Sequence, residues 1–141
     1  MWGNNMTFLI INNGSTSLRF SIIDAINNIT LAKGGIECIG TPDSYFKYEN
    51  CNGTKVKINI NINNCVKALE LINSYIFDSK IGVLNSEKEI KAVGHRVVHG
   101  GEKYKEAAII DEIVLNDILR FSNIMPLHGT RTRESIIECQ K

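Results

Sequence analysis

Residues 94–101 carry the residue types that recognition of a phosphate or a carboxylate needs. They read Gly-His-Arg-Val-Val-His-Gly-Gly, which places Arg96 between two histidines with glycines at both ends. A guanidinium matches the geometry of an oxyanion, and glycines let the backbone approach a ligand closely. The segment predicts an anion site, and a surface salt bridge of Arg96 is the alternative interpretation.

A second glycine turn could bind phosphate. Residues 12–17 read Asn-Asn-Gly-Ser-Thr-Ser and follow the apolar residues 8–11. Such a turn can offer free amides and small hydroxyls to phosphate oxygens, Arg19 follows on the next strand, and the side-chain oxygen of Asn12 suits a hydrated Mg²⁺. Because the pattern is not the Gly-x-x-x-x-Gly-Lys-Ser loop, an ordinary hairpin turn is the alternative.

The three histidines have different surroundings in the sequence. We expect His95 and His99 to be structural residues with satisfied hydrogen bonds, which is the commoner role of such histidines. His128 stands in a Met-Pro-Leu-His segment that we place at a break between two helices. There its side chain can point into a cleft and meet a developing negative charge.

Composition narrows the class of protein. With 141 residues, 43% hydrophobic and 22% charged, the chain should form one globular domain with a real core. A net charge of +1 without a basic patch argues against nucleic-acid and membrane partners, so we expect small-molecule partners. The longest apolar run, residues 8–11, cannot span a bilayer, and no secretory leader is recognisable, so we expect a cytoplasmic location. The four cysteines lack zinc-ligand spacing and should be free thiols.

The first half of the chain predicts strands. Residues 8–11 form an apolar run typical of a central strand buried on both faces, and residues 18–23 should pair back on it as a hairpin. Residues 29–39 predict a third strand, in which Gly34 and Gly35 mark a bulge or a close backbone contact. Residues 45–48 and 55–62 alternate around Asn52-Gly53 and predict an exposed hairpin.

Helices dominate the second half. Asn63 is the candidate N-cap of an amphipathic helix that ends near residues 77–78, and Val97-Val98 suggest a later strand. Asp111 should cap a helix that stops before Pro126, and a last helix should run from about residue 130. Strands followed by helices and a later strand predict an α/β domain with sheet and helices face to face. The helical pattern persists to the last residue without a stop signal, so we expect a chain truncated at its C-terminus.

These motifs closely resemble the acetate kinase family. Residues 8–19 are similar to its N-terminal strand and phosphate loop, residues 94–103 are almost a family signature, and Pro126-Leu127-His128 matches the next motif. The resemblance covers nearly all 141 residues in order. It implies an actin-like ATPase, ribonuclease H-like fold, in which a mixed sheet opens with antiparallel strands and is flanked by helices. Residues 1–141 would then be the truncated N-terminal lobe.

The resemblance also implies an activity and its residues. The reaction would be phosphoryl transfer between ATP and acetate, giving ADP and acetyl phosphate, with Mg²⁺ as cofactor and a homodimer at full length. The implied catalytic residues are Arg96 and His128. The implied acetate-binding residues are Arg96, Val98 and Leu127. The implied nucleotide phosphate-binding residues are Asn12, Gly14, Ser15, Ser17 and Arg19, with Asn12 also the metal ligand.

The chain departs from the family pattern at three places. Arg19 replaces the usual lysine, Asn13 stands where the family has a small residue, and Gly129-Thr130 replaces an Asn-Pro pair after His128. The family's remaining catalytic groups would lie beyond residue 141, so we expect this chain alone to be inactive. A propionate or butyrate kinase, or a truncated non-catalytic remnant, are the alternatives, because one methylene changes substrate discrimination by only about 1 to 3 kcal/mol.

Overall fold

The computed structural model describes residues 6–141. In this range the strands are β1 (Thr7–Asn13), β2 (Leu18–Asp24), β3 (Ile29–Glu37), β4 (Tyr45–Asn50), β5 (Lys55–Asn59) and β6 (Ile90–Arg96). The α-helices are α1 (Cys65–Ile76), α2 (Glu112–Phe121) and α3 (Pro126–Cys139). A short 3-10 helix, Glu87–Glu89, precedes β6. The predicted order of strands followed by helices is confirmed.

The strands form one mixed sheet in the order β5-β4-β3-β2-β1-β6. The first five strands are joined by antiparallel pairings, as the alternating sequence pattern predicts, and β6 then adds parallel to β1. Helix α3 contacts β1 and β6, α1 contacts β3 and α3, and α2 packs on α3. A parallel pair requires a crossover, which the segment between β5 and β6 supplies with α1.

One face of the sheet holds the main core. On β1, residues Leu9 and Ile11 point to this inner face and are buried, and they pack in one cluster with Ile72 of α1. Ile10 points to the opposite, outer face and is 37% exposed. The prediction that β1 is buried on both faces is therefore wrong, although β1 does lie between two other strands. The outer face of β1 is the one that carries Asn12.

The predicted exposed hairpin is half-buried instead. Strands β4 and β5 pair around the turn at Gly53, but Phe46 and Tyr48 of β4 are fully buried on the inner face. Strand β5 ends at Asn59, earlier than the predicted residue 62. The alternation had placed these aromatic rings correctly on one face, and burial of that face by α1 was not visible in the sequence.

Gly34 and Gly35 mark a close backbone contact. A Cβ at Gly34 would lie 2.0 Å from the carbonyl oxygen of Lys47, and one at Gly35 would lie 2.3 Å from that of Leu18. The register shift between β2 and β3 falls at Ile22, away from both glycines. Of the two predicted explanations, close approach of the strands is therefore the one that holds.

The helix boundaries correct two predictions. The cap of α1 is Asn64, whose side-chain oxygen accepts from the Lys67 amide, one residue later than predicted. Asp111 caps α2 as expected, through a bond from the amide of Val114. Helix α3 begins at Pro126 and not near residue 130. Proline is tolerated at the first helical position, because an N–H group there would have no acceptor within the helix.

Strand β6 ends at Arg96, so the prediction of a strand at Val97-Val98 is wrong. Its partner β1 has no parallel pairing beyond Asn12, and β-branched residues do not form a strand without a neighbour to pair with. All four cysteines are free, as predicted. Among residues 6–141, none of the helices has the length and apolarity needed to cross a bilayer.

Candidate functional site

The turn between β1 and β2 is tight around Gly14. The amide of Gly14 donates to the carbonyl of Ser17 over 2.8 Å, which closes the turn. A Cβ at Gly14 would lie 2.5 Å from the Ser17 hydroxyl oxygen, so a side chain there would displace this hydroxyl. Ser15 and Thr16 are exposed at its tip. The predicted hairpin thus presents Ser15 and Thr16 to solvent, whereas Ser17 is half-buried.

The backbone of this turn leaves hydrogen-bond donors free for an anion. Three successive carbonyls are occupied within the chain: that of Ser15 accepts from the Arg131 guanidinium, that of Thr16 from the Ile39 amide, and that of Ser17 from Gly14. Within the described part of the chain, the amides of residues 15, 16 and 17 donate no hydrogen bond. Successive free N–H groups in a turn can form a concavity that binds anions.

Asn12, Arg19 and Arg96 lie in one row across the sheet. Asn12 pairs with Arg19 on β2 and with Arg96 on β6. Residues paired in this way point to the same face, and neighbouring strands lie about 4.8 Å apart. Arg96 is exposed. The structure therefore brings the two predicted motifs together at the carboxyl ends of the parallel strands β1 and β6, beside the turn, where α/β sheets commonly bind ligands.

Arg19 is held towards β3. Its Nε donates to Glu37 Oε1 over 2.8 Å, and this hydrogen bond and charge raise the pKa of the guanidinium. The Arg19 side chain is largely exposed, so the ion pair adds little stability. Its terminal amino groups, which the Nε bond leaves out, are the part of Arg19 available to an anion.

The segment after Arg96 is fixed on α2. Lys103 Nζ and the Tyr104 hydroxyl both donate to Asp117 Oδ2 over 2.6 Å, and the Lys103 bond is the main reason why the pKa of Asp117 is lowered. Gly101 has φ +62°, and a Cβ there would lie 2.6 Å from the Phe121 ring. Glycine is therefore required at this position to let the loop approach α2.

His99 and His95 both pack against other residues of the chain, but only His99 has a hydrogen-bond partner for its Nδ1 atom. His99 Nδ1 accepts from the Gly101 amide over 3.0 Å, and its ring lies 6.0 Å from that of Phe121. His95 points to the inner face beside Ile11, where burial lowers its pKa to about 4. Its Nδ1 has no hydrogen-bond partner in the described part of the chain. The expectation of satisfied hydrogen bonds is thus confirmed for His99 and wrong for His95.

His128 lies in the first turn of α3 and not at a break between helices as predicted. It lines a cavity of about 10 Å³ together with Val98, His99 and Met125. Within the described residues, His128 Nδ1 has no hydrogen-bond partner although it is buried. The structure thus brings His128 and Val98 together, as the predicted acetate site requires.

Leu127 and Arg96 do not line this cavity. Leu127 is 64% exposed on the first turn of α3, and Arg96 is two residues upstream of Val98 on β6. Of the predicted apolar pair for the methyl group, Val98 lines this cavity and Leu127 does not. Arg96 lies instead beside Asn12, its pairing partner on β1.

A single side chain is the candidate metal ligand. Residues 6–141 contain no group of three or more histidine, cysteine, aspartate or glutamate side chains that could hold a metal ion. Asn12 offers one neutral oxygen on the outer face. Mg²⁺ commonly takes only one or two protein ligands and completes its shell with waters and substrate phosphates. Asn12 therefore fits the role of one protein ligand to an ion whose other ligands come from outside the described residues.

Two contacts from α3 reach the turn and were missed by the sequence analysis. Asn13 Nδ2 donates to Ser135 Oγ over 2.6 Å in a buried site, and Arg131 donates to the Ser15 carbonyl. Both partners are more than 110 residues away in sequence, so no local pattern signals them.

Comparison with known proteins assigns this arrangement to a family. The model of the Acetokinase family matches residues 7–141. The chain belongs to the acetokinase family. The acetate kinase of Acetivibrio thermocellus is 43% identical over 136 residues, which are 96% of this chain and 34% of that protein. The acetate kinase of Methanosarcina acetivorans is 40% identical over 136 residues, 96% of this chain and 33% of that protein.

Solved structures agree. The acetate kinase of Porphyromonas gingivalis superposes with a TM-score of 0.86 and 33% identity, over 94% of this chain and 33% of that one. The propionate kinase of Francisella tularensis superposes with a TM-score of 0.81 and 26% identity, over 96% of this chain and 33% of that one. The predicted actin-like fold class is confirmed, and the chain spans about a third of the length of the curated relatives it matches.

The acetokinase fold accommodates two of the departures noted above. Asn13 points to the inner face, is only 4% exposed and bonds to Ser135, so it leaves the phosphate side of the turn unchanged. Gly129 brings α3 against the end of α2, because a Cβ there would lie 2.2 Å from that of Ser122. The close approach of the two helices, and with it the placement of His128, depends on this glycine.

Proposed function

We propose that the complete protein is an acetate kinase, which transfers a phosphoryl group between ATP and acetate to give ADP and acetyl phosphate. Residues 1–141 would form its N-terminal lobe and would be inactive alone. The observation that carries the proposal is the placement of Asn12 and Arg96 as neighbours on one face of the sheet, beside a turn with three free amides. Family membership supports the same reaction.

The turn would hold the nucleotide phosphates. The free amides of residues 15–17 supply hydrogen-bond donors, and the Ser15 and Ser17 hydroxyls supply two more. Gly14 leaves the Ser17 hydroxyl in its place, because a Cβ would lie 2.5 Å from its oxygen. The terminal amino groups of Arg19 would add positive charge at the side nearest β3. Phosphoryl transfer asks the protein mainly for such positioning and charge.

Mg²⁺ would bind between the nucleotide and Asn12. Asn12 would supply one oxygen, and the phosphates, waters and residues outside this chain would supply the others. When bound, the ion would neutralise charge on the phosphate oxygens. Because the donor would be ATP, we expect the reaction to take place in the cytoplasm, and by family membership we expect a homodimer of the complete protein.

Arg96 would act on both substrates. In the direct in-line reaction, a carboxylate oxygen of acetate forms a bond to the γ-phosphorus while the bond to the ADP oxygen breaks. Arg96 would orient the carboxylate and then balance the charge on the three equatorial oxygens of the group in transit. His128 would donate to the same charge, and Val98 and Leu127 would border the methyl group.

The test is an assay of the complete protein with acetate, ATP and Mg²⁺, in which acetyl phosphate is trapped as a hydroxamate. We expect Arg96→Ala to lower the rate by about 100-fold or more, as does the loss of a transition-state donor elsewhere. Arg120→Ala is the matched control, because Arg120 is 82% exposed on α2 and outside the proposed site. No acetyl phosphate from the folded protein would refute the function, and an unchanged rate of Arg96→Ala would refute the role of Arg96.

A propionate or butyrate kinase is the second candidate, favoured by the likeness to the Francisella tularensis propionate kinase. The acetate kinases of Acetivibrio thermocellus and Methanosarcina acetivorans are more similar to the chain, at 43% and 40% identity, than this propionate kinase, at 26%. We therefore expect the highest kcat/KM with acetate. Comparison of the acids with two to four carbons decides between them, and a maximum at propionate or butyrate would contradict the preference for acetate.

A further inference from the structure

Helix α3 forms hydrogen bonds with the turn between β1 and β2 on both sides of Gly14. Ser135 accepts from Asn13, the residue before Gly14, and Arg131 donates to the carbonyl of Ser15, the residue after it. Arg131 and Ser135 are four residues apart on α3 and therefore lie on the same helix face. The Asn13 contact anchors the end of β1 in the core, whereas the Arg131 contact reaches the exposed tip of the turn.

The Arg131 contact fixes the orientation of a whole peptide unit. A trans peptide is planar, so its C=O and N–H groups point in opposite directions. With the Ser15 carbonyl directed at Arg131, the Thr16 amide must point away from α3. If that carbonyl were free, the peptide could rotate and present an oxygen, which repels phosphate, where the amide now stands.

The carbonyls of Thr16 and Ser17 accept from backbone amides, whereas the Ser15 carbonyl does not. The Thr16 carbonyl accepts from the Ile39 amide, and the Ser17 carbonyl accepts from the Gly14 amide. Within residues 6–141, the only hydrogen bond to the Ser15 carbonyl comes from the Arg131 side chain. A hydrogen bond from a charged donor is stronger than a neutral one, so a guanidinium is well suited to this task.

We propose that Arg131 is a positioning residue of the phosphate site: it holds the Ser15 carbonyl away from the ligand and thereby aims the Thr16 amide at it. The proposal rests on the proposed function of the turn. Two residues in the first turns of α3, His128 and Arg131, would then belong to the site. A phosphate ligand would then be sensitive to any change that moves α3.

The test combines amide exchange with a titration of this chain, followed by ¹H–¹⁵N NMR. Arg131→Met keeps an unbranched apolar stem and removes the donors, Arg131→Lys keeps a charged donor, and Arg120→Met is the control for loss of charge. Without ligand, the Gly14 and Ile39 amides report order in the turn, and the Ile22 amide in the buried part of β2 reports global stability. Inorganic tripolyphosphate with Mg²⁺ is the ligand.

We expect Arg131→Met to speed exchange at Gly14 and Ile39 but not at Ile22, and to weaken tripolyphosphate binding about tenfold, the scale of one charged hydrogen bond. Arg131→Lys should recover most of the affinity, and Arg120→Met should match the wild type. Unchanged exchange and affinity in Arg131→Met would overturn the proposal. If the wild-type turn signals do not respond to tripolyphosphate, the phosphate role of the turn is refuted, and the ligand-free exchange still decides whether Arg131 orders it.

Discussion

The buried imidazole of His95 should make the stability of this chain depend on pH in a narrow window. Burial lowers the pKa of His95 from its ordinary value of 6.5 to about 4. The unfolded chain therefore binds a proton on this side chain at a pH where the folded chain does not, and stability must fall as pH falls. The contribution of neutral His95 is fully present above pH 6.5 and is lost between pH 6.5 and 4.

The size of the effect follows from the two pKa values. At pH 5 the unfolded His95 is almost fully protonated and the folded one almost fully neutral, which corresponds to a loss of at most about 2 kcal/mol relative to pH 7.5. The lowered pKa values of Asp24, Asp78 and Asp117 also reduce stability on acidification, but this loss sets in as pH falls towards their ordinary value of 3.8, below the pH 5 measurement. The comparison of wild type with a variant that lacks His95, at pH 7.5 and pH 5, therefore isolates the contribution of this histidine.

Urea unfolding followed by circular dichroism at pH 7.5 and pH 5 measures the effect. His95→Phe should remove about 2 kcal/mol of the pH-dependent loss, whatever its stability at pH 7.5. His99→Asn is the matched comparison, since asparagine can accept the amide of residue 101 as His99 does and the substitution leaves His95 in place. Equal pH-dependent losses in wild type and His95→Phe would refute the reasoning.

Two further predictions concern the contacts of α3. In a double-mutant cycle by urea unfolding, Asn13→Ala and Ser135→Ala should be coupled by about 1 kcal/mol, because each buried partner depends on the other, and strictly additive effects would contradict this. Gly129→Ala should destabilise the chain by about 1 to 3 kcal/mol through its clash with Ser122. A gain of about 1 kcal/mol in thermal or urea unfolding, which helix propensity alone predicts, would show that the helices can move apart freely.

The hairpin half of the fold could be predicted because its signals are local. Alternation and turn residues fix β1 to β5 with errors of a few residues, since each strand pairs with the one before it. The helix caps were nearly right for the same reason. Adjacent asparagines at residues 63 and 64 are equivalent in sequence, and only the direction of the chain in space selects Asn64.

The errors arose where tertiary context decides. Pro126 was interpreted as a stop signal, whereas a proline both ends one helix and begins the next. Val97 and Val98 have high strand propensity but lie beyond the last residue of β1 that pairs with β6. Likewise, the pairing of Asn12 with Arg96 and the bond of Arg131 to the turn join residues far apart in sequence, which periodicity cannot reveal.

The claim that a nucleotide binds at the turn beside Asn12 and Arg96 can be tested most directly with a paramagnetic ion. Mn²⁺ replaces Mg²⁺ in complex with ATP, and line broadening of backbone amides falls steeply with distance from the ion. We predict the strongest broadening at Asn12, at residues 14–17 and at Arg96, and little at Val56 on β5, which lies four strands from β1, about 19 Å. Broadening that is strongest on β4 and β5, or that spares Asn12 and Arg96, would contradict the account.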